Sequence, residues 1–123
     1  MRPLRDPGEA YRRVDFEARV KGANPRQLVD LCLEQVAGSL GRAIYAHKSG
    51  DNAAKSAALT RAVSALTALQ MGVDSTSPAG EALIQLYQSA RRAVLDSALQ
   101  FNPKGIETIR TDFLEIRQAM MAS

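Results

Sequence analysis

The clearest helix start in the chain is Asn24-Pro25-Arg26-Gln27-Leu28-Val29. Asn caps the backbone N–H groups of a first helical turn, and Pro is favoured just inside that turn because it has no N–H to leave unpaired. Ser77-Pro78 and Asn102-Pro103 repeat the pattern, while Gly50-Asp51 combines a left-handed C-cap with a new N-cap. These boundaries predict four helices, at about residues 25–49, 52–73, 78–101 and 103–121.

Each of the four segments carries apolar residues at helical spacing. The last segment shows this most cleanly, with one narrow apolar face formed by Ile106, Ile109, Phe113, Ile116 and Met120. Because the connections are short, we expect an all-α fold in which residues 24–123 form an antiparallel up-down four-helix bundle. Residues 1–23 contain Pro3, Pro7, Gly8 and Gly22, which predicts an N-terminal arm or irregular lead rather than a core helix.

Length and composition are those of one globular domain, with 123 residues, of which 46% are hydrophobic and 24% charged. The formal charge of +3 arises from 16 basic and 13 acidic residues. This mild, dispersed excess does not favour nucleic-acid binding. No apolar run is long enough for a membrane span, and residues 1–6 have no apolar stretch typical of a signal peptide. We therefore expect a cytoplasmic protein.

Catalytic and metal-binding patterns are missing from the sequence. The chain has one His and one Cys, His47 and Cys32, and it lacks phosphate-binding loops and nucleophile motifs. Cys32 lies among apolar residues and is predicted to be a buried small hydrophobic residue, while His47 is predicted to lie near a helix C-terminus. We expect neither an enzyme nor a protein that needs a metal or a cofactor.

Two helix faces carry little charge although they lie opposite the predicted core stripes. On the first predicted helix, Leu31, Gly38 and Tyr45 recur every seven residues and are expected on the outer surface, where Gly38 would let another backbone approach. On the second, the outward face is formed by Ala53, Ala57, Thr60, Ser64, Thr67, Ala68 and Met71. Such faces suit the floor of a partner-binding groove. Alternatively, these small residues are simply helix formers, or the faces pack against the N-terminal arm.

Several segments in order resemble the family of the flagellar secretion chaperone FliS, over roughly residues 10–120. They are Ala10-Tyr11-Arg12-Arg13, the Asn24 to Val29 helix start, Ala62-Val63-Ser64-Ala65-Leu66-Thr67-Ala68-Leu69, and Gly80-Glu81-Ala82-Leu83-Ile84-Gln85-Leu86-Tyr87. The chain departs from the family where a Leu-Tyr pair is replaced by Leu31-Cys32 or Leu33-Glu34. It also has Met120-Met121 where the family often has an aromatic residue.

The resemblance implies a cytoplasmic chaperone that binds the disordered C-terminal segment of flagellin, prevents premature polymerisation and helps deliver flagellin to the flagellar export apparatus. It also implies that Tyr11 packs on the groove region when the client is absent, so that client binding displaces the arm. Together with the uncharged faces, this predicts a set of partner-binding residues: Tyr11, Leu31, Gly38, Tyr45, Thr60, Ser64, Thr67 and Met71.

Two other functions remain open from the sequence. The first is a generic helical interaction module, such as a different secretion chaperone or a homo-oligomer that buries these faces against its own copies. The second is a basic helical nucleic-acid binder, whose affinity would fall steeply with salt. Light scattering and salt dependence, respectively, distinguish these from a flagellin chaperone.

Overall fold

The computed structural model describes residues 7–122, which form five α-helices and, within that range, no β-strand. The helices are α1 (Pro7–Lys21), α2 (Pro25–Ser49), α3 (Asn52–Met71), α4 (Gly80–Leu99) and α5 (Pro103–Ala122). The all-α prediction is confirmed. Residues 1–6 and 123 lie outside the described residues, and so does the expectation that residues 1–6 contain no signal peptide.

The predicted caps at both ends of α2 are confirmed. The Asn24 side chain accepts a hydrogen bond from the Gln27 backbone N–H at 2.8 Å, and the Gln27 side chain accepts from the Asn24 N–H at 3.0 Å. At the other end, Gly50 has φ of 73°, in the left-handed region that glycine adopts without strain. Asp51 then accepts from the Ala54 N–H at 3.0 Å and begins α3. Local polar chemistry therefore fixes these boundaries.

The predicted start of α4 at Ser77-Pro78 is wrong. This helix begins at Gly80, and its N-cap, Ala79, makes no side-chain hydrogen bond. The Asp74 carboxylate instead accepts from both the N–H and the hydroxyl of Thr76, which stabilises a turn before the helix. A Cβ on Gly80 would overlap the Asp74 carbonyl oxygen, so the close approach that forms this turn requires glycine.

Residues 7–21 form helix α1, so the expectation of an irregular lead is wrong over that range. Pro7 is tolerated because it occupies the first helical position, where no intrahelical N–H bond is lost. Glu9 in the first turn and Arg19 and Lys21 in the last turn have the charges that the helix dipole favours. The helix ends before Gly22. Pro7, Gly8 and Gly22 thus lie at its two ends rather than interrupting it.

Helix α2 is the centre of the hydrophobic core. It packs against α3 and α5, α3 packs against α4, and α4 and α5 make a smaller contact that completes the ring. The largest fully buried side chains are apolar: Phe113, Leu33, Leu40, Leu66, Ile106, Val36 and Val94. Each such side chain contributes about 1.5–3 kcal/mol through burial. Helix α1 makes few contacts with α2 and lies outside this ring.

Candidate partner-binding groove

A groove of about 1550 Å³ lies between α1 on one side and the surface of α2 and α3 on the other. It continues past the C-terminal end of α3 to Leu83 and Tyr87 of α4 and to Met120 of α5. Pockets for small molecules usually enclose about 300–1,000 Å³. The groove is therefore large enough for a segment of polypeptide.

The floor of the groove on α3 consists mainly of small side chains. These are Ala53, Ala54, Ala57, Ala58, Thr60, Ser64, Ala65 and Ala68, followed by Leu69 at the far end. Because alanine and serine project little beyond the backbone, another helix can approach such a surface closely. The sequence-based expectation that α3 presents small, uncharged residues to a groove agrees with this placement for Thr60 and Ser64.

The α2 side of the groove is larger and more apolar. Leu28, Val29 and Cys32 line it near the start of the helix, and Tyr45 lines it near the end. Tyr45 is 73% exposed, so its ring is available to a partner. Cys32 is buried at the edge of the core, as predicted, and burial raises the pKa of its thiol. That thiol is accordingly less reactive than an exposed one.

Helix α1 turns Phe16 and Val20 toward the groove and leaves Tyr11 and Val14 on its outer side. Phe16 and Val20 line the groove and are half-buried, whereas Tyr11 is 73% exposed and Val14 is 65% exposed. The expectation that Tyr11 packs on the groove is therefore wrong for this structure. Phe16 supplies the aromatic ring instead, because a residue five positions along the helix points to a different face.

Ion pairs attach both ends of α1 to the neighbouring helices. Near the N-terminus, the Glu9 carboxylate accepts a hydrogen bond from Arg61 Nε of α3, and Arg61 Nη2 donates to the Glu9 carbonyl oxygen at 3.3 Å. Near the C-terminus, Arg19 binds both carboxylate oxygens of Glu34 at 3.1 and 3.3 Å. The Glu34 carboxylate also pairs with Arg117 of α5 at 3.2 Å. Side-chain charges thus contribute much of the attachment of α1.

Three arginines gather around Glu9 at this end of the groove. Arg12 Nη2 lies 3.6 Å from the Glu9 carboxylate, and Arg42 of α2 lies close to the same group. Burial lowers the pKa of the Arg42 guanidinium, and the positive charges of Arg12 and Arg61 lower it further, while Glu9 acts in the opposite direction. Among the described residues, the Glu9 carboxylate therefore lies near three guanidinium groups.

The remaining predicted residues lie elsewhere. Leu31 is only 7% exposed, so its placement on the outer surface is wrong. The space above Gly38 is occupied by the Arg42 guanidinium, whose Nη1 would lie 3.5 Å from an added Cβ. Thr67 accepts a hydrogen bond from Arg91 of α4 at 3.2 Å, and Met71 is 82% exposed. Neither Thr67 nor Met71 lines the groove.

Sequence reasoning missed the groove-lining residues that are charged or belong to α1. Arg42 is the only Lys, Arg, Asp or Glu between Glu34 and Lys48, and Arg61 is the only one between Lys55 and Asp74. An isolated arginine in a long uncharged stretch of helix was the available signal. Phe16 and Val20, with Tyr11 and Val14, are the apolar anchors that the sequence indicates in the N-terminal arm. Without a helix prediction for that segment, their spacing does not indicate which of them face the groove.

Among residues 7–122, no group of three or more His, Cys, Asp or Glu side chains is arranged to hold a metal ion. Over the same part of the chain, none of the helices has both the length and the apolar character needed to cross a membrane. The feature that these residues do present is the groove.

Comparison with known proteins adds independent findings. A family model described as "Flagellar protein FliS" matches residues 7–121. A similar protein, the "Flagellar secretion chaperone FliS" of Salmonella typhimurium strain LT2, is 29% identical over 114 residues, which cover 90% of this chain and 84% of the relative. All of the groove-lining residues lie within the range that the family model matches.

Proposed function

The chain belongs to the FliS family of flagellar proteins, and from that premise we propose that it is a cytoplasmic export chaperone for flagellin. In this proposal it binds the disordered C-terminal segment of flagellin, prevents premature polymerisation and assists flagellar type III export. The family membership confirms the resemblance that the sequence motifs indicated. It also supports a role as a flagellar secretion chaperone rather than as an enzyme.

The observation that carries this proposal is the groove of about 1550 Å³ with its floor of small side chains on α3. An amphipathic helix of the client can lay its apolar face on such a floor, with anchoring residues spaced at helical intervals. Because such a segment becomes ordered only when it binds the chaperone, it does not compact by itself before export. Tyr45, Thr60 and Ser64 are the predicted contacts that line this surface.

Helix α1 lies where part of a client would bind. Phe16 and Val20 occupy one side of the groove, so full use of the α2 and α3 surface requires α1 to move aside. Few contacts hold α1 to α2, and elements with few buried contacts open at lower free energy than the core. We therefore retain displacement of the arm as part of the proposal, with Phe16 in the role that the resemblance assigns to Tyr11.

The architecture proposed for this function is an arm of residues 1–23 and an antiparallel up-down four-helix bundle of residues 24–123. The ring of contacts from α2 through α3 and α4 to α5 supports it. The tight turn at Gly50-Asp51 supports opposite directions for α2 and α3. A rigid bundle would keep the groove in shape while α1 moves.

The decisive experiment mixes the purified protein with flagellin from the same organism and with flagellin that lacks its C-terminal segment. Calorimetry and gel filtration would measure complex formation. One-to-one binding that is lost on truncation is the expected result. Absence of binding to either form would refute the proposal, and self-association in light scattering would then favour a homo-oligomeric interaction module.

A further inference from the structure

Two arginines that are isolated in the sequence line the groove from α2 and α3, the helices that would stay in place if α1 moved. Arg42 is on α2 and Arg61 is on α3, each within a long stretch that has no other Lys, Arg, Asp or Glu. Both line the groove. Because a partly buried charge is costly unless it is paired, these two positions require an anion.

In the present structure Glu9 supplies part of that requirement. Its carboxylate pairs with Arg61, and the two side chains are only 17% and 10% exposed. Arg42 is less well satisfied: Nη2 donates to the Ser39 hydroxyl at 3.2 Å, but Nε is buried and has no hydrogen-bond partner among the described residues. The site therefore has unused donor capacity on Arg42 beside an arginine that is paired with α1.

Movement of α1 changes this balance. Glu9 and Arg12 both belong to α1, so displacement removes the Glu9 carboxylate together with the Arg12 guanidinium. Arg42 and Arg61 then remain on α2 and α3 without that carboxylate. A guanidinium binds a carboxylate through paired hydrogen bonds, and such bonds are strengthened in a groove that excludes water.

We propose that Arg42 and Arg61 form a carboxylate-binding site for an Asp or Glu side chain on the client helix, and that Glu9 occupies this site in the free protein. The inference rests on the proposed function, since it concerns the client of the same groove. The small residues of α3 would receive the apolar face of the client helix, and the two arginines would fix its register.

The test measures binding of the flagellin C-terminal segment by calorimetry to variants of the full chain. Arg61→Gln and Arg42→Gln should each weaken binding, roughly 10- to 100-fold for a partly buried charge pair. Glu9→Gln should tighten binding by about threefold to tenfold, because the internal competitor is lost. The pair Glu107 and Arg110 on α5, joined at 2.7 Å and outside the groove, provides matched controls. Glu107→Gln and Arg110→Gln make the same charge changes and should leave affinity unchanged.

The client side of the site is tested by changing each acidic residue of the segment to its amide. One such change should weaken binding to the wild-type protein but have little further effect on Arg61→Gln. If Arg42→Gln and Arg61→Gln lower the helical circular dichroism signal, their weaker binding would reflect loss of structure. The results with Glu9→Gln and with the client series then decide whether the carboxylate site exists. Tightening by Glu9→Gln that no acidic residue of the client influences would show that Glu9 only anchors α1, and would overturn the site.

Failure of this inference differs from failure of the proposed function. If wild-type protein binds the segment and all the groove and control variants bind equally well, the chaperone function stands and the carboxylate site is refuted. If the wild-type protein does not bind at all, the proposed function itself fails.

Discussion

Replacement of Leu31 and of Tyr45 by Asp should have opposite consequences. Both residues belong to α2 and both were predicted from their spacing to contact a partner. The structure separates them, since Leu31 is 7% exposed and Tyr45 is 73% exposed and lines the groove. Leu31→Asp should therefore destabilise the fold, whereas Tyr45→Asp should leave the fold intact and impair client binding.

The magnitudes follow from burial. Leu31→Asp loses about 2–3 kcal/mol of apolar transfer free energy and adds a desolvation penalty of several kcal/mol for a buried carboxylate. Together these two losses amount to much of the free energy of unfolding of such a domain, which is roughly 5–15 kcal/mol. In Tyr45→Asp the replaced side chain is already largely exposed, so little burial is lost. The negative charge of the new Asp near the C-terminus of α2 costs only about 0.3–1 kcal/mol. In binding, loss of an aromatic anchor costs about 2 kcal/mol or more.

Thermal unfolding followed by circular dichroism measures the first effect, and calorimetry with the flagellin segment measures the second. Tyr45→Phe is the matched control, because it keeps the ring and should retain binding. A folded Leu31→Asp protein with an unchanged melting temperature would contradict the burial of Leu31. A Tyr45→Asp protein that binds as tightly as wild type would contradict the placement of the client over the end of α2.

Three further predictions concern stability. Gly80→Ala should destabilise the protein by about 1–3 kcal/mol because its Cβ would overlap a backbone carbonyl oxygen. Gly41→Ala in α2 should instead stabilise it by up to about 1 kcal/mol, because that Cβ would meet only ordinary contacts. Urea unfolding checks both signs. Phe113→Ala removes a ring that is 1% exposed and should cost about 3–5 kcal/mol, measured in the same way. The hydrogen bond from Arg117 lowers the pKa of Asp30 below its ordinary value of 3.8. The contribution of this ion pair to the free energy of unfolding is therefore present above that pH and is lost as the pH falls through the lower pKa of the folded state. Arg117→Gln should flatten the dependence of melting temperature on pH in this acidic range, and an unchanged slope would contradict that assignment.

Helix boundaries set by local chemistry could be predicted from the sequence. Asn24 and Asp51 cap α2 and α3 as expected, because their carboxamide and carboxylate groups reach backbone N–H groups only three residues away. Ser77-Pro78 shows the same residue pattern but does not begin a helix. There the competing interaction is the turn at Asp74, which depends on the close approach of Gly80, a tertiary feature that residue type alone does not reveal.

The site was predicted less completely than the fold. Thr60 and Ser64 could be assigned to a groove because an outward helix face without charge is unusual. Leu31 could not be placed, since a seven-residue spacing identifies a common face but not whether another helix covers that face. The contributions of Phe16 and Glu9 depend on how α1 docks, and that docking rests on side-chain pairs far apart in sequence.

The weak attachment of α1 is consistent with the function proposed for the groove. Glu9 and Arg19 hold its two ends through charged contacts, while the buried core of the described residues includes no side chain of α1. The Arg19–Glu34 pair is partly exposed and contributes about 0–1 kcal/mol. The Glu9–Arg61 pair is largely buried, so breaking it is the main electrostatic cost of moving α1. The apparent affinity for a client equals the intrinsic affinity multiplied by the fraction of molecules in which the groove is open. The strength of the Glu9 contact therefore directly controls client binding. A chaperone that must release its client for export gains from such a competitor, because α1 returns to the groove whenever the client dissociates.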